Sequence, residues 1–262
     1  MEKLKKQDIL VRLSIDPQWK IDDPNSPFTE MIKQNNYEEI LNINVDSLNA
    51  EKRGRWKQIL KMVAPIFKKT IEKLNEMNPT DEFIYNKFFQ EYLSSDYLWD
   101  VNCSLEHPAG FGKGSEKGTS FYNYIVNNVD IPIYIKELSE LEYCIFKASY
   151  IPSNKKVYDF SKPLYLAQNV SLIKSEYGVL NILENNNNIN RNIEYYVVGS
   201  KGKVYRIDES TYRVLTLLKN EGNRTIDSSE LQFFEQANNI GILTNDLNVI
   251  DKDLLNKFFG IK

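Results

Sequence analysis

The chain has 262 residues and a net charge of −3 at pH 7, with 42% hydrophobic and 26% charged residues. These values are typical of a globular protein, and the slightly acidic balance lacks the basic field with which nucleic-acid binders contact phosphates. No apolar run approaches the roughly 18 residues of a membrane helix, and no signal-peptide pattern follows the first residues. We therefore expect a cytoplasmic protein, long enough for one large domain or two ordinary ones.

Histidine and cysteine usage limits the chemistry that the chain can perform. His107 is the only histidine, and histidine is the commonest metal ligand and the usual general base near neutral pH. One histidine cannot build the histidine-rich sites of most iron or zinc enzymes; an all-carboxylate site stays open, although no residue pattern proposes one. Cys103 and Cys144 are far apart, and Cys144 falls in an apolar helical pattern that predicts a core position. We predict a non-enzyme that has no catalytic residues, holds no metal and needs no cofactor.

The first half of the chain shows helical periodicity. Apolar residues at spacings of three and four predict an amphipathic helix over residues 50–77, which Pro65 kinks or splits. Prolines within residues 1–48 exclude long helices from that segment. The next helix is capped by Thr80 or Asp81.

A glycine-rich segment interrupts this helical region. Residues 102–118 contain a Gly-x-Gly-x-Gly run, but no predicted strand precedes it and it lacks the Lys-Ser/Thr ending of a phosphate-binding loop. Thr119 and Ser120 are expected to cap a short helix after this loop, and an amphipathic helix is predicted over residues 134–149. The sequence therefore predicts an all-helical domain over residues 1–150.

The pattern changes to β structure after residue 151. Alternation of apolar and polar residues predicts a strand over residues 169–174. The strongest β signal is a hairpin formed by residues 193–199 and 203–207, with Gly202 able to take a positive φ in the turn.

Two helices and a short strand complete the C-terminal half. Asp208 is expected to cap a helix that bears Leu218 and is closed by Gly222, and Ser228 or Ser229 to cap a second helix that is closed by Gly241. A short strand is expected over residues 242–244, and the domain is expected to contain a β-hairpin or a three-stranded sheet. The prediction is an α+β fold in which residues 151–262 form a small winged-helix-like domain.

Several segments, in order, resemble one protein family. The matching segments are residues 83–93, 120–125, 135–148, 172–182 and 196–206 with the helix that follows. Together they resemble partner proteins of the HvfC and MbnC type, a family first described as DNA-binding domains. The resemblance covers roughly residues 60–245. Gly178 stands where the family often has proline, and the first 50 residues match no family motif.

The resemblance implies a function in the biosynthesis of ribosomally made natural products. Members of this family form a heterodimer with a multinuclear non-heme iron-dependent oxidase, which modifies cysteines of a precursor peptide. The iron ligands belong to the enzyme, while the partner contributes peptide recognition through a C-terminal domain similar to a leader-recognition element. The single histidine agrees with this division of labour.

The physical mechanism expected for peptide recognition is β-strand addition, in which an extended peptide completes the unpaired N–H and C=O groups of a sheet edge. The candidate edge is residues 203–207 or its hairpin mate, residues 193–198, with the helix over residues 210–218 as a wall. The predicted peptide-binding residues are Tyr196, Val198, Lys203, Tyr205, Arg206, Tyr212 and Leu215. The alternative is that hairpin side chains such as Tyr195, Val197, Val204 and Ile207 simply pack a core.

The surface that meets the enzyme is expected in the helical domain and its glycine-rich loop. Phe111, set among glycines, is a candidate interface anchor, and His107 and Lys113 lie beside it. A packed loop is the equally weighted alternative for Phe111.

Two other functions compete with the partner hypothesis. A winged-helix DNA-binding regulator needs basic or amide residues at the start of its recognition helix, whereas the helix after Ser229 begins Glu-Leu-Gln-Phe-Phe-Glu, which repels phosphate. An independent enzyme is disfavoured because no catalytic constellation is visible.

Overall fold

The computed structural model describes residues 6–99, 114–150, 164–167, 170–186, 189–221 and 231–245. The chain divides into two compact units, the first ending at Asn128 and the second beginning at Val129. In the described residues of the first unit the secondary structure is helical, whereas the second combines helices with two small antiparallel sheets. The predicted α+β class is therefore confirmed.

The first unit is built from short and medium helices. They are α1 (Lys6–Leu13), α2 (Pro27–Asn35), α3 (Val45–Val63), α4 (Lys68–Met77), α5 (Lys87–Ser94), α6 (Asp96–Trp99) and α7 (Gly114–Asn127), with 3-10 turns at Glu38–Asn42 and Phe83–Tyr85. The predicted break at Pro65 is confirmed, because this proline lies between α3 and α4.

Two predicted helix starts in this unit are wrong. Neither Thr80 nor Asp81 caps α5; the cap is Asn86, whose side chain accepts a hydrogen bond from the N–H of Phe88 at 3.0 Å. Helix α7 begins at Gly114, five residues before the predicted cap at Thr119, so that Gly118 lies inside the helix despite the low helix propensity of glycine.

The second unit opens with α8 (Ile133–Tyr150), which the sequence assigned to the first domain. This helix packs against the central sheet of the second unit, so the boundary lies before α8 and not at the predicted position between residues 150 and 151. The remaining elements are β1 (Tyr165–Leu166), β2 (Ser171–Tyr177), α9 (Val179–Leu183), β3 (Arg191–Val198), β4 (Val204–Ile207), α10 (Glu209–Glu221), α11 (Leu231–Asn239) and β5 (Leu243–Thr244).

The strands form two antiparallel sheets. The larger sheet has the order β2-β3-β4, and the smaller pairs β1 with β5. The predicted hairpin, third strand and short final strand are confirmed. The finer assignment to the winged-helix class stays a prediction.

Both faces of the three-stranded sheet are covered. The α8 face holds one core cluster, whose members are Leu138, Leu141, Cys144, Ala148, Ile173, Val179, Ile182, Tyr196 and Val198. The opposite face packs on α10 and α11 through a second cluster that includes Val197, Leu215, Leu218, Phe234, Ala237, Ile242 and Leu243. Cys144 is buried, as predicted.

The hairpin turn rests on α8. Lys201 and Gly202 both have positive φ, at 59° and 70°. A Cβ on Gly202 would lie 2.7 Å from the hydroxyl oxygen of Ser149 and 2.9 Å from the carbonyl oxygen of Ile145. This position therefore requires glycine for its backbone angle and for its contact with α8.

Among the described residues, no helix combines the length and hydropathy needed to cross a membrane.

Candidate functional site

Strand β4 lies at one border of the three-stranded sheet. It pairs with β3 in the register Tyr195↔Ile207, Val197↔Tyr205 and Val198↔Val204. Within the part of the chain that the structure describes, no strand pairs with its other side. The other candidate edge, residues 193–198, is wrong: β3 is central and pairs with both β2 and β4.

The register identifies the backbone groups that β4 presents outward. The N–H of Gly199 donates to the carbonyl of Lys203 at 2.8 Å, which makes this a hydrogen-bonded pair. Hydrogen-bonded and non-bonded pairs alternate along an antiparallel ladder, so Tyr205 and Ile207 also point their backbone groups toward β3. The N–H and C=O groups of Val204 and Arg206 therefore point away from the sheet.

A groove of about 330 Å³ lies beside this border, on the face covered by α10 and α11. Strands β3 and β4 contribute Val197, Arg206 and Ile207, and helix α10 with its cap contributes Asp208, Thr211 and Leu215. The opposite wall is formed by Phe233, Gln236, Ala237, Ile240 and Ile242. Seven of these eleven lining residues are apolar and four are polar, a mixture that is typical of binding pockets.

Arg206 is held on the other face of β4 by a polar network. Its Nε lies 3.1 Å from the carboxylate of Glu194, and its Nη2 donates to the side-chain oxygen of Asn181 at 3.0 Å. The hydroxyl of Tyr196 also donates to Glu194 and accepts from the N–H of Leu180 at 3.4 Å. Burial, followed by the hydrogen bond to Glu194, raises the pKa of Tyr196 well above its usual range. The Arg206 guanidinium is therefore already neutralised.

Asp208 fixes the start of α10 at the rim of the groove. Its carboxylate accepts hydrogen bonds from the N–H of Thr211 at 2.8 Å and from the hydroxyl of Ser210 at 2.5 Å. These bonds, the Ser210 bond first, lower the pKa of Asp208. The predicted cap is confirmed, and the groove has a fixed negative charge at this end.

The structure separates the seven predicted peptide-binding residues into groups. Arg206 and Leu215 border the groove, although the Arg206 guanidinium lies on the other face of β4 and Leu215 is fully buried beneath the groove. Lys203 is exposed, and Tyr205 is half-buried against the core on the groove face. Tyr212 stacks on Tyr195, with ring centroids 4.9 Å apart.

Two of these predicted contacts are corrected by the fold. Tyr196 and Val198 have no exposed surface, because the α8 face of the sheet is covered. The prediction assumed that one face of the hairpin would be open. Side chains at these two positions belong to the core and are not available to a peptide bound at the surface.

The sequence did not identify the α11 wall as part of the site. Phe233, Gln236 and Ile240 follow helical spacing, and this signal predicted a helix but not which strand it would face. The position of α11 beside β4 depends on contacts between distant segments, which periodicity does not contain.

The outer border of β2 is less suited than that of β4 to pairing with a peptide strand. On α8, the Glu137 carboxylate accepts hydrogen bonds from the backbone N–H groups of Glu176 at 2.8 Å and Tyr177 at 3.2 Å. The strand is irregular between Ser175 and Tyr177, and the exposed Lys174 lies along it. Bulges and lysines are common devices that block edge pairing.

The predicted enzyme-facing residues His107, Phe111 and Lys113 lie outside the described residues. Over the described ranges, no group of three or more histidine, cysteine or acidic side chains is placed to hold a metal ion. Neither protein-family models nor curated proteins gave a match to this chain.

Proposed function

We propose that this chain is a non-catalytic peptide-binding subunit that pairs an extended precursor peptide with the outer border of β4. The observation that carries this proposal is the coincidence of outward backbone groups on Val204 and Arg206 with an adjoining apolar groove. Main-chain hydrogen bonds would supply affinity, and side chains entering the groove would supply register.

The sequence resemblance supplies the identity of the partner in this proposal. The chain would form a heterodimer with a multinuclear non-heme iron-dependent oxidase that modifies cysteines of the bound peptide. The C-terminal unit would act as a leader-recognition element of winged-helix type. The rival role in DNA binding gains no support from α11, whose sequence contains no lysine or arginine.

Peptide binding can be tested with the full chain and peptides selected from a random display library. Val204→Pro removes one outward N–H, and Val204→Ala is the matched control that keeps it. We expect fluorescence anisotropy to show weaker binding by the proline variant and nearly unchanged binding by the alanine variant. Equal binding by both variants would refute pairing at β4.

The enzymatic partnership needs a separate experiment. The gene neighbourhood is searched for a multinuclear iron-dependent oxidase and a short cysteine-containing peptide, and the chain is co-expressed with the pair that is found. We expect the two proteins to co-purify, and mass spectrometry to show peptide modification only when both are present. An oxidase that is fully active without this chain would rule out the partner function.

A further inference from the structure

On the groove side of the sheet, three alternate residues of β4 and the position before it present side chains that an added strand would meet. Alternate residues of a strand point to the same face, and Tyr205 and Ile207 both pack toward the core on the groove face. Lys203 continues this row, since its carbonyl accepts the Gly199 N–H and extends the ladder by one residue. A peptide strand would therefore place alternate side chains opposite Lys203, Tyr205 and Ile207.

The two ends of this row differ in shape. Ile207 lines the groove, together with Leu215 and Phe233, whereas Lys203 and Tyr205 do not. The volume of about 330 Å³ lies at the lower end of the range for ligand pockets, so it accommodates an anchoring side chain and not a large cofactor. The position opposite Ile207 thus favours a large apolar residue.

The two ends also differ in charge. Lys203 is exposed and forms no ion pair with the described residues, whereas Arg206 is paired with Glu194. At the groove end, Asp208 is negative and already accepts its hydrogen bonds from within α10. An acidic peptide residue is therefore attracted at the Lys203 end and repelled at the groove end.

We infer that the bound peptide carries a large apolar residue opposite Ile207 and an aspartate or glutamate opposite Lys203, four positions apart. This inference rests on the proposed peptide-binding function. At about 3.3 Å per residue, the two anchors are roughly 13 Å apart along the strand. The required motif is an apolar residue and an acidic residue separated by three residues of any kind, in the order set by the direction of the peptide.

The test uses peptides selected from a random library on the full-length chain. We expect enrichment of an apolar and an acidic residue at a spacing of four. Replacing the apolar anchor by alanine in a selected peptide should weaken binding about tenfold or more, because it removes the burial of a large side chain. Moving the acidic residue by one position should weaken binding severalfold, because adjacent strand positions point to opposite faces.

A charge reversal then locates the acidic contact. Lys203→Glu should weaken binding of the acidic peptide about three- to fivefold, as is usual for an exposed ion pair, and a peptide with lysine at that position should regain the loss. Lys174→Glu, at the opposite border of the sheet, is the matched control and should leave binding unchanged. If the lysine peptide restores binding to the Lys203→Glu variant, the loss of binding came from a direct charge contact and not from misfolding of the variant.

The outcomes distinguish the proposed sequence motif from the proposed peptide binding at β4. Peptides that require Val204 N–H but show no preferred spacing, or no rescue at residue 203, overturn the motif and leave the binding function intact. Peptides insensitive to Val204→Pro overturn both. A dimer in sedimentation analysis that Val204→Pro dissociates also overturns both, since a second copy of the chain then occupies the border.

Discussion

The carboxylate of Glu137 accepts a hydrogen bond from the hydroxyl of Ser175 at 2.7 Å, and so joins the middle of α8 to the irregular end of β2. The same carboxylate accepts the backbone N–H groups of Glu176 and Tyr177. One side chain thus accepts from three donors at the bulge; the Ser175 hydroxyl and the Tyr177 N–H also bond within the strand, whereas Glu137 is the acceptor of the Glu176 N–H. This contact explains why α8 belongs to the second unit.

Loss of this acceptor should destabilise the second unit. We expect Glu137→Ala to lower the free energy of unfolding by ~1–3 kcal/mol, because the partly buried N–H of Glu176 loses its acceptor and the Ser175 hydroxyl and Tyr177 N–H each lose one. Glu137→Gln should lose less, since its amide oxygen still accepts. Urea denaturation measures both, with the exposed Glu209→Ala as control. An alanine variant as stable as the parent would contradict the proposed role.

Two glycines should respond in opposite directions to alanine. Gly202→Ala should lower the free energy of unfolding by more than ~1 kcal/mol, because φ is positive and the Cβ meets Ser149 and Ile145. Gly54→Ala, within α3, has no heavy atom within 4 Å of the new Cβ and should raise stability by ~0.5–1 kcal/mol. Thermal melts of the two variants check this contrast; a shift in the same direction would contradict it.

Proline should discriminate the two sides of β4. Val204→Pro removes an outward N–H and part of the packing of Val204 on the α8-face cluster, and should cost less stability than Tyr205→Pro, which removes a ladder hydrogen bond to β3 and should cost ~3 kcal/mol or more. Circular dichroism melts of both variants measure the difference. If both prolines were equally destabilising, the assignment of outward groups would be wrong.

The buried Lys52 should make stability depend on pH. Its ammonium donates to the carbonyls of Asp16 at 3.0 Å and Trp19 at 2.6 Å, and desolvation by burial lowers its pKa to about 8. Since the folded pKa lies below the unfolded value of 10.5, the unfolded state binds more protons between these values, and this residue's contribution to stability rises with pH there.

The comparison with Lys52→Met isolates this contribution from other titrating groups. The parent should gain stability relative to this variant as pH increases from 8 to 10, in urea denaturation at each pH. A constant difference between the two proteins would show that Lys52 keeps its ordinary pKa in the folded state.

Local structure was predictable where the signal is local. The break at Pro65, the hairpin around Gly202 and the Asp208 cap each depend on residues close in sequence, and all three are confirmed. The burial of Tyr196 was not predictable in this way. It depends on α8, which covers the sheet from about fifty residues upstream and belongs to the same unit as the hairpin, not to the helical domain to which its periodicity assigned it.

In the candidate site, too, features that depend on neighbouring residues were predicted, and features that depend on distant contacts were not. Lys203 and Arg206 were placed on a border strand from the hairpin pattern alone, although the pattern did not indicate which strand of the hairpin would be central. Strand order depends on β2 pairing with β3, and nothing in the sequence of β3 specifies that neighbour. The α11 wall was missed for the same reason.

The shortness of the free border of β4 limits how many main-chain hydrogen bonds the second unit can form with another chain. Val204 and Arg206 each offer one N–H and one C=O outward, so an arriving segment gains at most four main-chain bonds, worth about 0.5–1.5 kcal/mol apiece. A strand pairing with so few hydrogen bonds favours rapid dissociation of the bound segment. Under the proposed function, such rapid dissociation would let the subunit release each modified peptide before it binds the next.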